Sequence, residues 1–392
     1  MSTLKVDNIR HNSATSDAIT MASDGTCTAK ITGMTGGGAL SHRNLVINGA
    51  MRVAQRSVGP VAVQEGSNEN YQTIDRMRFS FGNAAAGACN ISQSTDAPTT
   101  LGFTKSHKVD VTTVNTVASG QQIINLFYRI EGQDLRNSGW NHLSSSSFLT
   151  LSFYFKTTKT GTSKLPIMFR TRHGTNYYYV KNVTVTDPTN WNRYTVTIPG
   201  NSNLQIDDLT TTGMDVYFTY YSGPDKDTSS EGSWGSTNAY STSDSTNYFD
   251  STSNDMFITG IQLEVGDTAT SFEHRSYGDE LNRCQRYYQQ FKGLSDQVAL
   301  GFGRSNGTTV AEFNVPLSVP LRASPTLNAC SWAVFTATNQ SNSASQTPAV
   351  RKWDAYSNML GCALSGMSGM TNARTLTVYL NSSHTFSMDA EL

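Results

Sequence analysis

Large apolar residues alternate with polar ones along much of this chain. In FLTLSFYFK, residues 148–156, Leu149, Leu151, Phe153 and Phe155 fall on one face and Thr150, Ser152, Tyr154 and Lys156 on the other. That is the two-residue period of a strand with one face buried. WNRYTVTIPG (191–200), GMDVYFTYYSG (213–223) and FITGIQLEVG (257–266) repeat the pattern between Gly, Pro, Asn and Asp turns. Many short strands without intervening helices predict an all-β chain, with an antiparallel jelly-roll sandwich over 44–272. The polar stretch 222–255 inside it is too long for a hairpin turn, and loops of that length are functional or disordered. Further on, Phe313, Val315, Leu317, Val319 and Leu321 alternate with Asn314, Pro316, Ser318 and Pro320. Two prolines on the outward face predict an edge strand. Together with SWAVFTAT (331–338) and TLTVYL (375–380), this run predicts a small C-terminal β-sandwich domain over 293–392.

Three stretches depart from the strand pattern. Residues 1–32 hold two short β-like runs and too few large apolar residues to fold alone, so they need a partner or copies of themselves. A linker over 33–43 follows, flexible because four glycines crowd into GMTGGGAL. It lacks the Lys and Ser/Thr of a phosphate loop. The third departure is a connecting helix over 273–292, where Tyr277, Leu281, Cys284, Tyr288 and Phe291 recur at the spacing of a heptad seam. So short a helix is marginal alone in water. It packs either on its own sandwich or against equivalent helices of neighbouring subunits.

Composition narrows the chemistry. Charged residues are 15% of the 392 residues, against roughly a quarter in ordinary domains, and the formal net charge is −1. With no Lys/Arg run to neutralise phosphates, nucleic acid is set aside. The start of the chain has no signal-peptide core, and no apolar stretch approaches the roughly 20 residues of a membrane span. The expectation is a chain made and folded in cytoplasm, without membrane insertion. Five dispersed cysteines, with no C-x-x-C pair, read as free thiols. The histidines are scattered, and DKDTSSEGS (225–233) lacks the Gly and Glu that an EF-hand needs, so no metal or cofactor is expected. Asp207 and Asp208 are adjacent, but nothing in the sequence places them across a cleft. No G-x-S-x-G elbow supports a serine nucleophile, and no catalytic residue is assigned.

Sugar recognition asks for less: an aromatic face to stack on a ring, with amides and hydroxyls around it. Two polar loops qualify. One carries Trp234, Tyr240 and Tyr248, and the other, over 339–359, carries Trp353 and Tyr356 beside Arg351 and Lys352, which suit acidic sugar groups. Trp140 and Trp191 read as core.

Several segments resemble the tail fibre proteins of tailed bacteriophages, particularly phages of marine cyanobacteria. They are STLKVDNI with AITMASDGT, NLVINGAMRVAQRS followed by YQTIDRMRFS, YRIEGQDLRNSGW, ITGIQLEVGDTATSFEHRSYGDELNRCQRYYQ and VPLRASPTL. The resemblance implies a homotrimeric, non-enzymatic virion component, assembled in the host cytoplasm and acting at the host exterior. Residues 1–32 would attach it to other phage tail proteins, and the C-terminal β domain would meet a host surface glycan. Distance from the attachment end ranks the Trp353 loop above the Trp234 loop. Two related roles on such a particle are a decoration or baseplate protein and a tailspike depolymerase. The latter usually needs stacked repeats, and the chain has no fixed repeat period.

Overall fold

A computed structural model describes residues 6–10, 12–13, 15, 17–21, 23, 27–29 and 42–392, the last span without 68, 117–119, 294–297, 337–339 and 369. The strand Phe148–Thr157 turns Leu149, Leu151, Phe153 and Phe155 fully into a core, as the alternation predicts. It belongs to a six-stranded antiparallel sheet ordered Asn192–Pro199, Phe148–Thr157, Asp255–Val265, Ser106–Thr113, Ala88–Ser94, Val61–Gln64. Facing it is a second six-stranded sheet ordered Trp234–Gly235, Tyr178–Val185, Ser163–Thr171, Thr212–Ser222, Ile123–Glu131, Arg78–Gly82. The two inner faces interdigitate around one core, so this part of the chain is an antiparallel jelly-roll sandwich.

The stretch 222–255 is an ordered strap across the second sheet. Central strand Thr212–Ser222 sends Met214, Val216, Phe218 and Tyr220 inward, yet Tyr217 on its outer face is buried as well. The cover comes from the strap, whose Tyr240 meets Tyr217 edge-on with ring centres 5.4 Å apart. Trp234–Gly235 extends the sheet by pairing with Tyr178 and Tyr179.

The second core lies between a seven-stranded sheet and a three-stranded one and is built around Trp332, Phe313 and Phe386. Val310–Pro316 is an inner strand, hydrogen-bonded to Val298–Asn306 on one side and Met359–Leu364 on the other. This corrects the expected edge strand. Pro316 is the last residue of the strand and Pro320 lies beyond it, so neither removes a donor from the middle of the ladder. The expected loop over 339–359 is largely strand: Gln340–Gln346 and Ala349–Lys352 form the two edges of the seven-stranded sheet.

The helix is also shorter than expected. It spans Tyr277–Gln285, started by Ser276, whose hydroxyl accepts the Asp279 N–H at 3.1 Å. After one turn of chain, Tyr288–Lys292 is a strand paired residue for residue with Thr385–Asp389. The seam is therefore overturned as a single helical stripe. Cys284 is buried inside its own chain, Tyr288 and Phe291 belong to a strand, and Tyr277 is 47% exposed. The physical reason is that a β-forming Tyr-Gln-Gln-Phe run finds a partner strand close to the far end of the chain.

Near the N-terminus, Asn8–Ile9, Ile19–Met21 and Cys27–Ala29 pair as a three-stranded sheet. The glycine-rich stretch 33–41 lies outside the described residues.

Candidate functional site

Apart from STLKVDNI and AITMASDGT, which supply strands to the N-terminal sheet, the motifs that prompted the resemblance converge on one buried joint. A bulge in Asp255–Val265 frees Ile261 to pair with the 44–58 segment, and its N–H donates to Gly49 O at 3.0 Å. A Cβ on Gly49 would stand 2.0 Å from the Ile261 carbonyl oxygen, which is why glycine is needed there. The chain then turns at Asn48, in the left-handed region with φ 62°. Asn48 donates its backbone N–H to Glu280 and its amide to Val53 O at 2.8 Å and Asp75 O at 3.0 Å. Asp75 in turn accepts Gln55 N–H at 2.9 Å. Burial pushes the Asp75 carboxyl up to about 6, partly opposed by Arg56.

Arg76, fully buried, pairs with Glu391, donates to Arg129 O at 2.7 Å and lies 3.5 Å from the centre of the Tyr287 ring. Burial alone would lower its pKa, but Glu391 holds the guanidinium well above its ordinary value. Tyr287 donates its hydroxyl to Glu131 at 2.5 Å, and Arg286 reaches the same carboxylate at 3.1 Å. Arg56 lies 3.7 Å over the Tyr288 ring and pairs with Asp389 at 2.9 Å. Arg322, from VPLRASP, donates to Ala390 O, Glu391 O and Thr210 O at 2.8–2.9 Å. The helix and the strand after it thus lock the last residues of the chain to the sandwich. These motifs build the joint, and their outward residues Gln133, Asn282, Arg283, Arg286 and Arg322 line a cleft at its surface.

The aromatics expected to stack on a sugar are mostly consumed by packing. Tyr240 and Tyr248 are buried, the latter with its hydroxyl 2.9 Å from Ser163 Oγ. Trp234 is half-buried, donates Nε1–H to Pro199 O at 2.7 Å and packs on Tyr179. Tyr240 and Tyr248 offer no free face, and Trp234 keeps only part of its surface open. A long polar strap is ordered only by anchoring its own large side chains, and these are its anchors. Of the two tryptophans read as core, Trp140 is buried and Trp191 half-buried with Nε1–H on Asp96.

The four C-terminal residues do not form one site. Arg351 and Lys352 line a groove of ≈ 530 Å³ on the seven-stranded sheet, where Arg351 and Arg304 both hold Glu312, at 3.2 and 3.3 Å. Trp353 packs half-buried on the C-terminal core, its Nε1 without a partner among the described residues. Tyr356 is 93% exposed and stands on a different cleft of ≈ 670 Å³, between the helix and the C-terminal domain. Asp354 positions it by accepting the Tyr356 N–H at 2.8 Å.

Around that cleft lie Gln133, Thr210, Asn282, Arg283 and Arg286. Arg286 is fixed by Glu131 behind it, and Arg283 is paired with Asp279 one helical turn earlier, at 3.3 Å. A free aromatic face beside oriented guanidinium and amide groups suits a sugar, above all one with a carboxylate. Gln133, Asn282 and Arg286 carry no sequence signal for this role, because three separate segments meet here only in the fold.

Among the described residues no group of His, Cys, Asp and Glu is arranged to hold a metal. In the segment that resembles a calcium loop, Asp227 accepts from Ser241 at 2.6 Å and Glu231 pairs with Lys181 at 3.1 Å. Cys89, Cys284, Cys330 and Cys362 are buried free thiols. No described helix is long and apolar enough to cross a membrane.

No protein-family model matches the chain, and no curated protein matches it. Among solved structures, a CBM4 structure is 9% identical with a TM-score of 0.29, covering 56% of this chain and 98% of its own. The enzymatically active domain of tailspike protein 4 of bacteriophage CBA120 is 13% identical with a TM-score of 0.29, over 57% of this chain and 21% of its own. A family 11 carbohydrate-binding module of Clostridium thermocellum, in complex with a β-1,3-1,4-mixed-linked tetrasaccharide, is 11% identical with a TM-score of 0.27, over 53% and 96%. Overlaps this loose identify neither a family nor a ligand for this chain.

Proposed function

We propose that this chain is a non-enzymatic adhesin of a bacteriophage tail, and that it binds a host surface glycan in the cleft beneath Tyr356. The observation that carries the glycan reading is the nearly complete exposure of Tyr356 at the rim of a cleft furnished by Arg283, Arg286 and Asn282. The tail assignment, the homotrimer and attachment through residues 1–32 rest on the sequence resemblance. Trp353 gives way to Tyr356 as the stacking residue, because most of its surface is already covered where it packs on the C-terminal core.

Stacking on Tyr356 contributes on the order of 1 kcal/mol, and a guanidinium–carboxylate contact adds a charge-assisted bond. Each site is weak. Three copies per trimer and several trimers per particle raise the effective concentration enough for stable adsorption.

The test is competition between purified chain and phage for host cells. Tyr356→Ala is expected to keep the wild-type mass and melting temperature and to lose competition. Should Tyr356→Ala compete like wild type, the cleft is not the receptor site. Release of oligosaccharides from host polysaccharide by the purified chain would replace the adhesin with a depolymerase.

A further inference from the structure

A second hollow, of ≈ 280 Å³, lies on the sandwich, where the strap curls back over the outer face of Thr212–Ser222. Its floor is Thr219, Tyr221 and Ser222 with Pro166 from the adjacent strand, and its facing wall includes Thr242 and Ser245. The wall is internally satisfied: the Thr242 hydroxyl donates to Asp244 at 2.6 Å and that of Ser245 to Asn182 at 3.2 Å. The floor is not. Thr219 Oγ1 and Ser222 Oγ have no hydrogen-bond partner among the described residues, although Thr219 is only 1% exposed. Across the ladder from Thr219 sits Asn125, equally buried, with neither amide atom partnered among the described residues.

Folded chains rarely leave buried polar atoms unmatched, and two of them in the floor of a hollow, on Thr219 and Ser222, call for an occupant. We propose that this hollow is a saccharide site taking one neutral sugar ring. Its lining contains no Lys or Arg, and its one carboxylate, Asp227, is engaged by Ser241, so an anion finds no counter-charge. Hydroxyls both donate and accept, and several of them side by side are matched by a ligand that does the same at adjacent positions, a polyol ring. Tyr221 and Pro166 supply the apolar surface for its C–H face. The volume sits just under the roughly 300–1,000 Å³ of drug-sized pockets, which fits a single ring. This site shares no residue with the Tyr356 cleft and stands without it.

The experiment is saturation-transfer NMR on the full chain with glucose, galactose, mannose and N-acetylglucosamine, each alone at millimolar concentration. Transfer to at least one of them is expected in wild type and in Tyr356→Ala. In Thr219→Val the affinity should fall at least about tenfold, and Ser222→Ala should weaken the same sugar. Thr219→Val keeps the shape and removes an unmatched hydroxyl, so its melting temperature should equal or exceed that of wild type. Undiminished binding by Thr219→Val, a lowered melting temperature in that variant, or no transfer to any of the four sugars would each overturn the proposal, the last leaving ordered water as the occupant.

Discussion

Among single side chains, His107 carries the clearest thermodynamic signature. It is buried with neither ring nitrogen partnered among the described residues, it stacks on Phe79, and burial lowers its pKa to about 3. In the unfolded chain it takes a proton near pH 6.5, whereas in the fold it resists until about 3, so the unfolded state binds more protons between those values. Its contribution is complete above 6.5 and is lost as the pH falls. Asp75 and Asp134 act with the opposite sign: burial raises both to about 6, so the folded state binds their protons first and gains as the pH drops from there towards 4. Wild-type stability mixes these terms, but a comparison with His107→Phe isolates one. In urea melts, the stability of His107→Phe relative to wild type should grow by about 1.4 kcal/mol per pH unit lost between 6.5 and 3. A constant difference across that range would mean that the imidazole titrates normally.

The helix and the strand after it show how a spacing rule misleads. Positions 277, 281, 284, 288 and 291 fit a heptad, yet they also fit a helix, a turn and a strand in succession, and only the first three lie on the helix. Leu281 keeps part of its surface open to solvent while Cys284 faces inward. A five-residue stripe along one helix is thus overturned, and Leu281→Asp should leave the oligomeric mass unchanged in light scattering, whatever that mass is. A drop in mass would restore the helix as a subunit contact. The strap followed the same logic in reverse, since its aromatics looked available in a polar context and became anchors.

The two cores are coupled by the joint. Arg56, Arg76 and Arg129 reach from the sandwich to residues 389–392, and Arg322 holds the carbonyls of Ala390 and Glu391. Breaking one buried pair such as Arg76–Glu391 costs roughly 3–5 kcal/mol because it strands a charge. Removing residues 389–392 strands several at once while leaving most of each core in place. The intact chain is expected to melt in one calorimetric transition for the described body, and the truncated chain in two, with the C-terminal domain melting first. Two transitions already present in the intact chain would show that the joint couples nothing.

The strands were legible because side-chain alternation is a local property: Leu149, Leu151, Phe153 and Phe155 face a core whatever lies opposite. The same holds for the all-β class. The pairings that build the joint and the Tyr356 cleft were not legible. They depend on which distant strand Tyr288–Lys292 meets, and Thr385–Asp389 carries no local mark of that choice. Nor does sequence tell a buried hydroxyl with a partner from one without, so nothing in GMDVYFTYYSG marks Thr219. Alternation fixes which side of a strand is buried, but the long-range contacts that leave a polar atom unmatched, or a tyrosine free, are set when separate segments compete for the same surface.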